Sequence, residues 1–276
     1  DSQVSRPIEK FEKAPALSAA DGMTYALPIA TIAVFASIWF VNISGMQAAT
    51  KLITAMTPSA AGLEGNIASF EELATHPPFA MQEVREQIVS FANAVVQSPS
   101  ATNELKQRAV SLAITEMQKQ VAAYPRDARG HLQLSYAYRI AGNNTDALKE
   151  VEAAILLSPK KEGFWIEKGM IELNRGDFKA AQKDFYTAYA LGPQFSELAA
   201  YAVESAIIAD DLSSASEILL RAEPAVGVNT WFSLAAAYYK AGDTANAIQI
   251  INTAVLRYPD SAATGAAAIK QIEAGK

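Results

Sequence analysis

The sequence contains no cysteine, which excludes a disulfide framework, a thiolate zinc site and a cysteine nucleophile. Histidine is scarce as well. The two residues, His76 and His131, are far apart, and neither has a metal-ligating partner at helical spacing. His76 reads as a surface residue in a loop before Pro77. No phosphate loop, dinucleotide glycine pattern or serine elbow is present. Glu83, Arg85 and Glu86 read as a charged helix face rather than a catalytic carboxylate pair. Basic blocks are missing too: the formal charge is -6 and the pI about 5.1. Such a chain has no general attraction for nucleic acid or an anionic bilayer surface. Glycine and proline are few, 14 and 12 in 276 residues, and alanine is frequent, which favours helices over a sandwich or barrel. The expectation is an all-α chain that needs no cofactor or metal and is not an enzyme.

Charge disappears altogether between Asp21 and Lys51. The apolar centre runs from Ala26 to Ile43, and about 20 apolar residues at ~1.5 Å rise cross a ~30 Å hydrocarbon layer. Pro28 is expected in the first turn, where a missing N–H costs little. Trp39 and Phe40 lie toward the far end, as interfacial aromatics do. The competing reading is a buried core helix. A cleaved signal peptide fits less well, since the stretch starts deep in the chain. We expect a polar tail at 1–23, a transmembrane helix at 24–46 and lipid contact through residues 26–46. Arg6, Lys10 and Lys13 precede the span, while only Lys51 comes closely after it and Arg85 is next. The positive-inside rule then places the C-terminal bulk of the chain on the extracytoplasmic side. Ala33 and Ser37 form a small-xxx-small pair that lets another helix approach. Because the chain begins at Asp1, an upstream segment, or a longer protein of which this is the C-terminal piece, is expected.

Internal periodicity dominates the remainder. Pro125, Pro159 and Pro193 are 34 residues apart, and Pro259 closes a later unit. Ala147, Ala181 and Ala215 are also 34 apart, with Ala247 following 32 later; Gly142, Gly176 and Gly242 each precede one of these alanines by five. Over Arg126 to Pro259 the pattern resembles the tetratricopeptide repeat. The first unit carries Leu134, Tyr138, Gly142, Ala147, Ala154 and Pro159. The second carries Trp165, Gly169, Gly176, Ala181, Phe185, Ala188 and Pro193. The last carries Trp231, Leu234, Ala235, Tyr238, Gly242, Ala247, Ala254 and Pro259. A third, degenerate unit keeps Ala215 and Leu219, has Asp210 in place of glycine and ends early at Pro224.

The resemblance implies an all-α, TPR-type α-solenoid of antiparallel helix pairs, preceded by the one transmembrane helix. Small residues such as Gly169, Ala181 and Ala235 let paired helices approach. Trp165, Phe185, Trp231 and Tyr238 fill the space between units, and several units must stack to cover their apolar faces. We expect a linker at 47–65, irregular helical hairpins at 66–124, repeats at 125–260 and a capping helix at 261–276. Within the hairpins, helices are expected over 67–74, 79–96 and 102–124.

In proteins of this kind the first helix of each unit lines a concave groove. Matching positions are Arg129, Leu132, Tyr136, Arg139 and Ile140; Ile166, Met170, Leu173 and Asn174; and Asn229, Phe232, Tyr239 and Lys240. Aromatics, aliphatics and a few cations suit an extended protein or peptide ligand. The alternative for each is packing against an adjacent unit. Family members that hold chaperone tails use a lysine and asparagine clamp; Leu132 and Tyr136 stand at the matching places, so that clamp is absent. Asn143-Asn144-Thr145 matches a glycosylation sequon in a turn.

A second similarity concerns the order of features. An apolar span ending in Trp39-Phe40-Val41-Asn42-Ile43 is followed by Ala48-Ala49, Pro77-Pro78-Phe79, Gln82-Glu83-Val84-Arg85-Glu86-Gln87 and then the repeats. This resembles the C-terminal region of bacterial O-antigen ligase and polymerase membrane proteins. It implies a scaffold attached to a multi-span glycosyl-transferring core, whose catalytic residues have no counterpart here. The other expectation is a free-standing single-span adaptor in protein export or envelope assembly.

Overall fold

The computed structural model describes residues 19–75, 81–222 and 226–274. His76, Pro77-Pro78-Phe79, Pro224 and the cations Arg6, Lys10 and Lys13 lie outside the described residues. Among the described residues every regular element is helical.

The chain enters on one continuous helical run: α1 (Ala19–Ser37), a π-helical turn (Ile38–Ile43) and α2 (Ser44–Met56). Pro28 is interior to α1, not in its first turn, and offers no N–H to the ladder. The side chains of Leu27, Ile32, Phe35 and Phe40 are 66, 68, 68 and 73% exposed. By length and composition this run is able to cross a membrane. Residues 47–56, expected as linker, are instead the closing turns of this helix. Ala48 and Ala55 are buried there, with Leu52 packed alongside, because small residues seven apart let the helix lie close on α3 (Gly62–Thr75). The Asn66 side-chain amide of α3 donates to the carbonyls of Ala55 at 2.7 Å and Thr57 at 2.6 Å. These are end-of-helix acceptors that the ladder leaves open.

Helices α4 (Met81–Gln97) and α5 (Asn103–Ala123) form the first long hairpin. Thr102 caps α5 by accepting from the Leu105 N–H. Ile67, Phe70, Ile88, Val89, Met117 and Leu134 join one core across α3 to α6.

Four helix pairs follow. They are α6 (Ala128–Ile140) with α7 (Asn144–Leu157), α8 (Glu162–Arg175) with α9 (Phe178–Leu191), α10 (Ser196–Ile208) with α11 (Leu212–Arg221), and α12 (Val228–Lys240) with α13 (Thr244–Arg257). A short turn (Pro259–Ser261) leads to α14 (Ala262–Glu273). The turn inside each pair is built the same way. Gly142, Gly176 and Gly242 take positive φ of 77°, 78° and 84°, and Asp210 does so at 61°. The residue after each, Asn143, Asp177, Asp211 or Asp243, donates its N–H back to Tyr138, Glu172, Ala206 or Tyr238, the Schellman closure. Its side chain then caps the next helix by accepting from the N–H three residues on. Asp210 therefore keeps the turn that glycine was expected to make.

Within pairs, Ala147, Ala181, Ala215 and Ala247 are fully buried. A Cβ added to Gly169 would lie 2.9 Å from the Phe185 ring, so only glycine allows this approach. Tyr138 and Tyr238 tie units together: Gln118 of α5 donates to the Tyr138 hydroxyl at 2.8 Å, and Tyr238 donates to the Leu212 carbonyl at 2.9 Å. Phe185 and Trp231 are buried, at 1% and 0% exposure, each contributing about 1.5–3 kcal/mol. Trp165 differs from expectation. It is half-buried, and its indole N–H donates to the Pro159 carbonyl at 3.0 Å. The third pair is short, α11 having 10 residues where α7, α9 and α13 have 14.

Candidate functional site

The predicted groove positions fall on three helices: Arg129, Leu132, Tyr136, Arg139 and Ile140 on α6; Ile166, Met170, Leu173 and Asn174 on α8; Asn229, Phe232, Tyr239 and Lys240 on α12. The structure does not gather them into one pocket. They lie along a row of clefts between successive first helices, with α10 standing between α8 and α12.

Sequence reasoning missed the α10 contribution. Stepping 34 residues on from Ile166, Met170 and Leu173 gives Ala200, Glu204 and Ile207, and the same register gives Glu197. Glu197 and Glu204 are exposed. The signal was available in the repeat itself, obscured because the third unit lacks the glycine and the proline spacing of its neighbours.

Two of the three predicted cations are occupied within the chain. Arg129 of α6 pairs with Glu86 of α4. Arg139 donates to Glu167 of α8 at 2.8 Å and lies over the Tyr136 ring at 4.7 Å. Burial pushes the Glu167 carboxyl up, and Arg139 opposes the shift. These arginines lock unit to unit, a correction to their reading as partner-facing cations. Leu132 packs partly into the core of the first pair, and Tyr136 and Ile140 against the core of the preceding hairpin. His131 has a structural place: its Nδ1 is 2.6 Å from Glu150 of α7 and its Nε2 3.2 Å from the Pro125 carbonyl.

Three clefts remain open to a ligand. Ile166 lines one of about 440 Å³ between α8 and α10, with Gly163, Phe195 and Leu198 at its base and Glu162 and Glu197 at its edge. Glu162 is held below the usual carboxylate range by a backbone hydrogen bond and by Lys161. Glu197 accepts from the Tyr201 hydroxyl at 3.3 Å. Asn229 and Phe232 line a second cleft of about 610 Å³ with Arg257, Tyr258 and Asp260. Phe232 and Tyr239 share a third, of about 310 Å³, with Ala268 and Ile272 of α14. Helix α14 thus takes the place of a further first helix and covers part of the predicted surface. The chemistry of this face is apolar with carboxylate edges, less cationic than expected.

The tetratricopeptide repeat family model matches residues 228–261. No curated protein matches the chain in sequence. Among solved structures, a crystal structure of MamA is 18% identical with a TM-score of 0.47, covering 56% of this chain and 92% of its own. A thermophilic TPR protein of Thermus thermophilus is 13% identical with a TM-score of 0.40, covering 68% and 98%. A tetratricopeptide repeat protein from Parabacteroides merdae is 11% identical with a TM-score of 0.51, covering 92% of this chain and 95% of its own. That last likeness, together with the matched unit at 228–261, shows the fold: an all-helical, TPR-like solenoid.

Proposed function

We propose that this chain is a membrane-tethered scaffold that holds a protein segment along the first-helix face of its solenoid. The observation that carries the reading is the cleft between α8 and α10, where Ile166, Phe195 and Leu198 form an apolar base under Glu162 and Glu197. An extended or helical segment with an apolar anchor and a basic neighbour satisfies both parts of that surface. The exposed apolar run of α1 supports the tether, with lipid contact through residues 26–46. The polar tail of 1–23 and the repeats of 125–260 are then assigned to opposite sides, with the solenoid extracytoplasmic.

In the finer reading the scaffold is the C-terminal part of an O-antigen ligase- or polymerase-like envelope protein, recruiting partners beside a glycosyl-transferring core. Its support is the order of span, Pro77-Pro78-Phe79, Gln82–Gln87 stretch and repeats. The second reading is a self-contained single-span adaptor in protein export or envelope assembly. It is favoured by the docking of α2 on α3 through Asn66, which orients the solenoid on its own anchor.

The test is selection of a displayed library of short random peptides on the full chain in detergent. Enrichment of apolar sequences with lysine or arginine, lost in Ile166→Glu and reduced in Tyr136→Ala/Phe232→Ala, is the expected result. Selection indifferent to those substitutions in folded protein overturns the groove reading. Protease protection of the solenoid in intact cells tests its side of the membrane.

A further inference from the structure

A second cleft lies on the opposite, second-helix face. It measures about 510 Å³ and sits between α9 and α11, floored by Ala202 and Ile218. Its walls carry Tyr186, Tyr189, Lys179, Lys183 and Arg221, with Gln182, Ser214 and Glu217 completing the lining. The short α11 helps to shape it, because that helix stops at Arg221, a turn sooner than its counterparts.

The charges around this cleft do not balance. Arg221 is paired with Glu217 at 2.7 Å. Asp211, nearby, accepts from Gln182 at 2.8 Å and from the Ser214 N–H as the cap of α11. Among the described residues Lys179 and Lys183 make no ion pair, and both are exposed. They stand four apart on one face of α9, an arrangement that like-charge repulsion disfavours in the folded helix. Two uncompensated lysines beside one cleft stand out in a chain of net charge -6. Tyr186 is 54% exposed, and its ring meets Tyr189 edge-on at 6.4 Å between centroids. Exposed tyrosines flanked by cations form the kind of surface that anchors a partner residue.

We propose that the α9–α11 cleft is a second docking site, for an acidic peptide segment bearing an apolar or aromatic anchor. The anchor rests on Tyr186, Tyr189 and Ile218, and the carboxylates meet Lys179 and Lys183. A flat bilayer fits a recessed cleft poorly. Two free cations on an acidic chain are too few for nucleic acid, whose binding rests on many phosphate contacts. The site is independent of the first-helix face, so a scaffold with both would hold two segments of opposite charge at once.

The experiment uses the full chain in detergent micelles and fluorescence anisotropy. The probe is a short labelled peptide with a Phe-Leu pair flanked by glutamates; the control replaces the glutamates with lysines. Binding of the acidic probe alone is expected. The double variant Lys179→Glu/Lys183→Glu should weaken it by about tenfold or more at low salt, with less effect at high salt. Lys179→Arg/Lys183→Arg should keep it, as should the distant surface change Lys160→Glu. Tyr186→Ala, which leaves charge unchanged, should weaken binding several-fold by loss of the anchor's support. Since the chain lacks cysteine, Ser214→Cys carries a single environment-sensitive dye whose emission should shift on binding. Equal affinity in the charge-reversed protein, equal binding of the lysine control, a silent Ser214→Cys label, or displacement of the probe by anionic vesicles or RNA each overturns the proposal.

Discussion

Asp210 and Gly176 stand 34 residues apart at the same turn of their helix pairs, and both hold left-handed backbone, with φ of 61° and 78°. The Asp211 and Asp177 N–H groups close the two turns identically, onto Ala206 and Glu172. Asp210 bears the cost that glycine avoids. Asp210→Gly should therefore stabilise the folded chain by roughly 0.5–1 kcal/mol, the gain being reduced by glycine's greater freedom when unfolded. The check is a higher urea midpoint with an unchanged denaturant slope. A lower midpoint would show that the Asp210 side chain contributes more than its backbone costs.

Gly169 lies against the ring of Phe185, which is itself stacked on Tyr201 with centroids 5.5 Å apart. Gly169→Ala places its methyl 2.9 Å from ring carbons. The ring is buried and has little room to yield, so the substitution should cost about 1–3 kcal/mol. That cost should outweigh alanine's better helix propensity. Thermal unfolding of the variant measures the sign.

Asn66 fastens the anchor helix to the solenoid. Asn66→Leu removes two donors from buried carbonyl partners, which should cost about 1–3 kcal/mol. The loss should be local. Faster amide hydrogen exchange is expected in the last turns of α2 and in α3, with protection in α12 and α13 unchanged. Uniform loss of protection throughout the chain would contradict a local role.

Asp184 supplies a pH dependence. Burial pushes its carboxyl from 3.8 up to about 6, with Lys168 opposing and Glu172 and Glu152 adding to the shift. Lys168 is 3.8 Å away, and the second carboxylate oxygen has no partner. Between about pH 4 and pH 6 the folded chain holds a proton that the unfolded chain has released. Stability from this group is therefore highest below that window and falls as pH rises through it, by roughly 1–2 kcal/mol after allowing for Lys168. Asp184→Asn should flatten this part of the profile and be more stable than the parent at pH 7. Urea midpoints on both sides of the window decide it.

The groove prediction fared unevenly for physical reasons. Ile166, Phe232 and Tyr239 line open clefts, as repeat register implied. Arg129 and Arg139 are consumed by Glu86 and Glu167. Those partners lie 43 and 28 residues away, and no local pattern identifies them. Asn143, Asp177, Asp211 and Asp243 were legible as caps from their position after the turn residue, although they stand outside the glycine and alanine periodicity that marks the repeat.

What the sequence determined alone is the all-helical class, the repeat unit, the antiparallel pairing and the apolar run, because each rests on spacing along the chain. Small residues at fixed intervals and a turn residue before an Asx cap specify a helix pair without reference to anything distant. Only the tertiary structure decided that residues 47–56 dock as helix, that α14 covers part of the predicted groove and that the open lysines lie on the far side. Those outcomes depend on which side chains meet across helices, and a charge is free or spent according to a neighbour that spacing does not reveal.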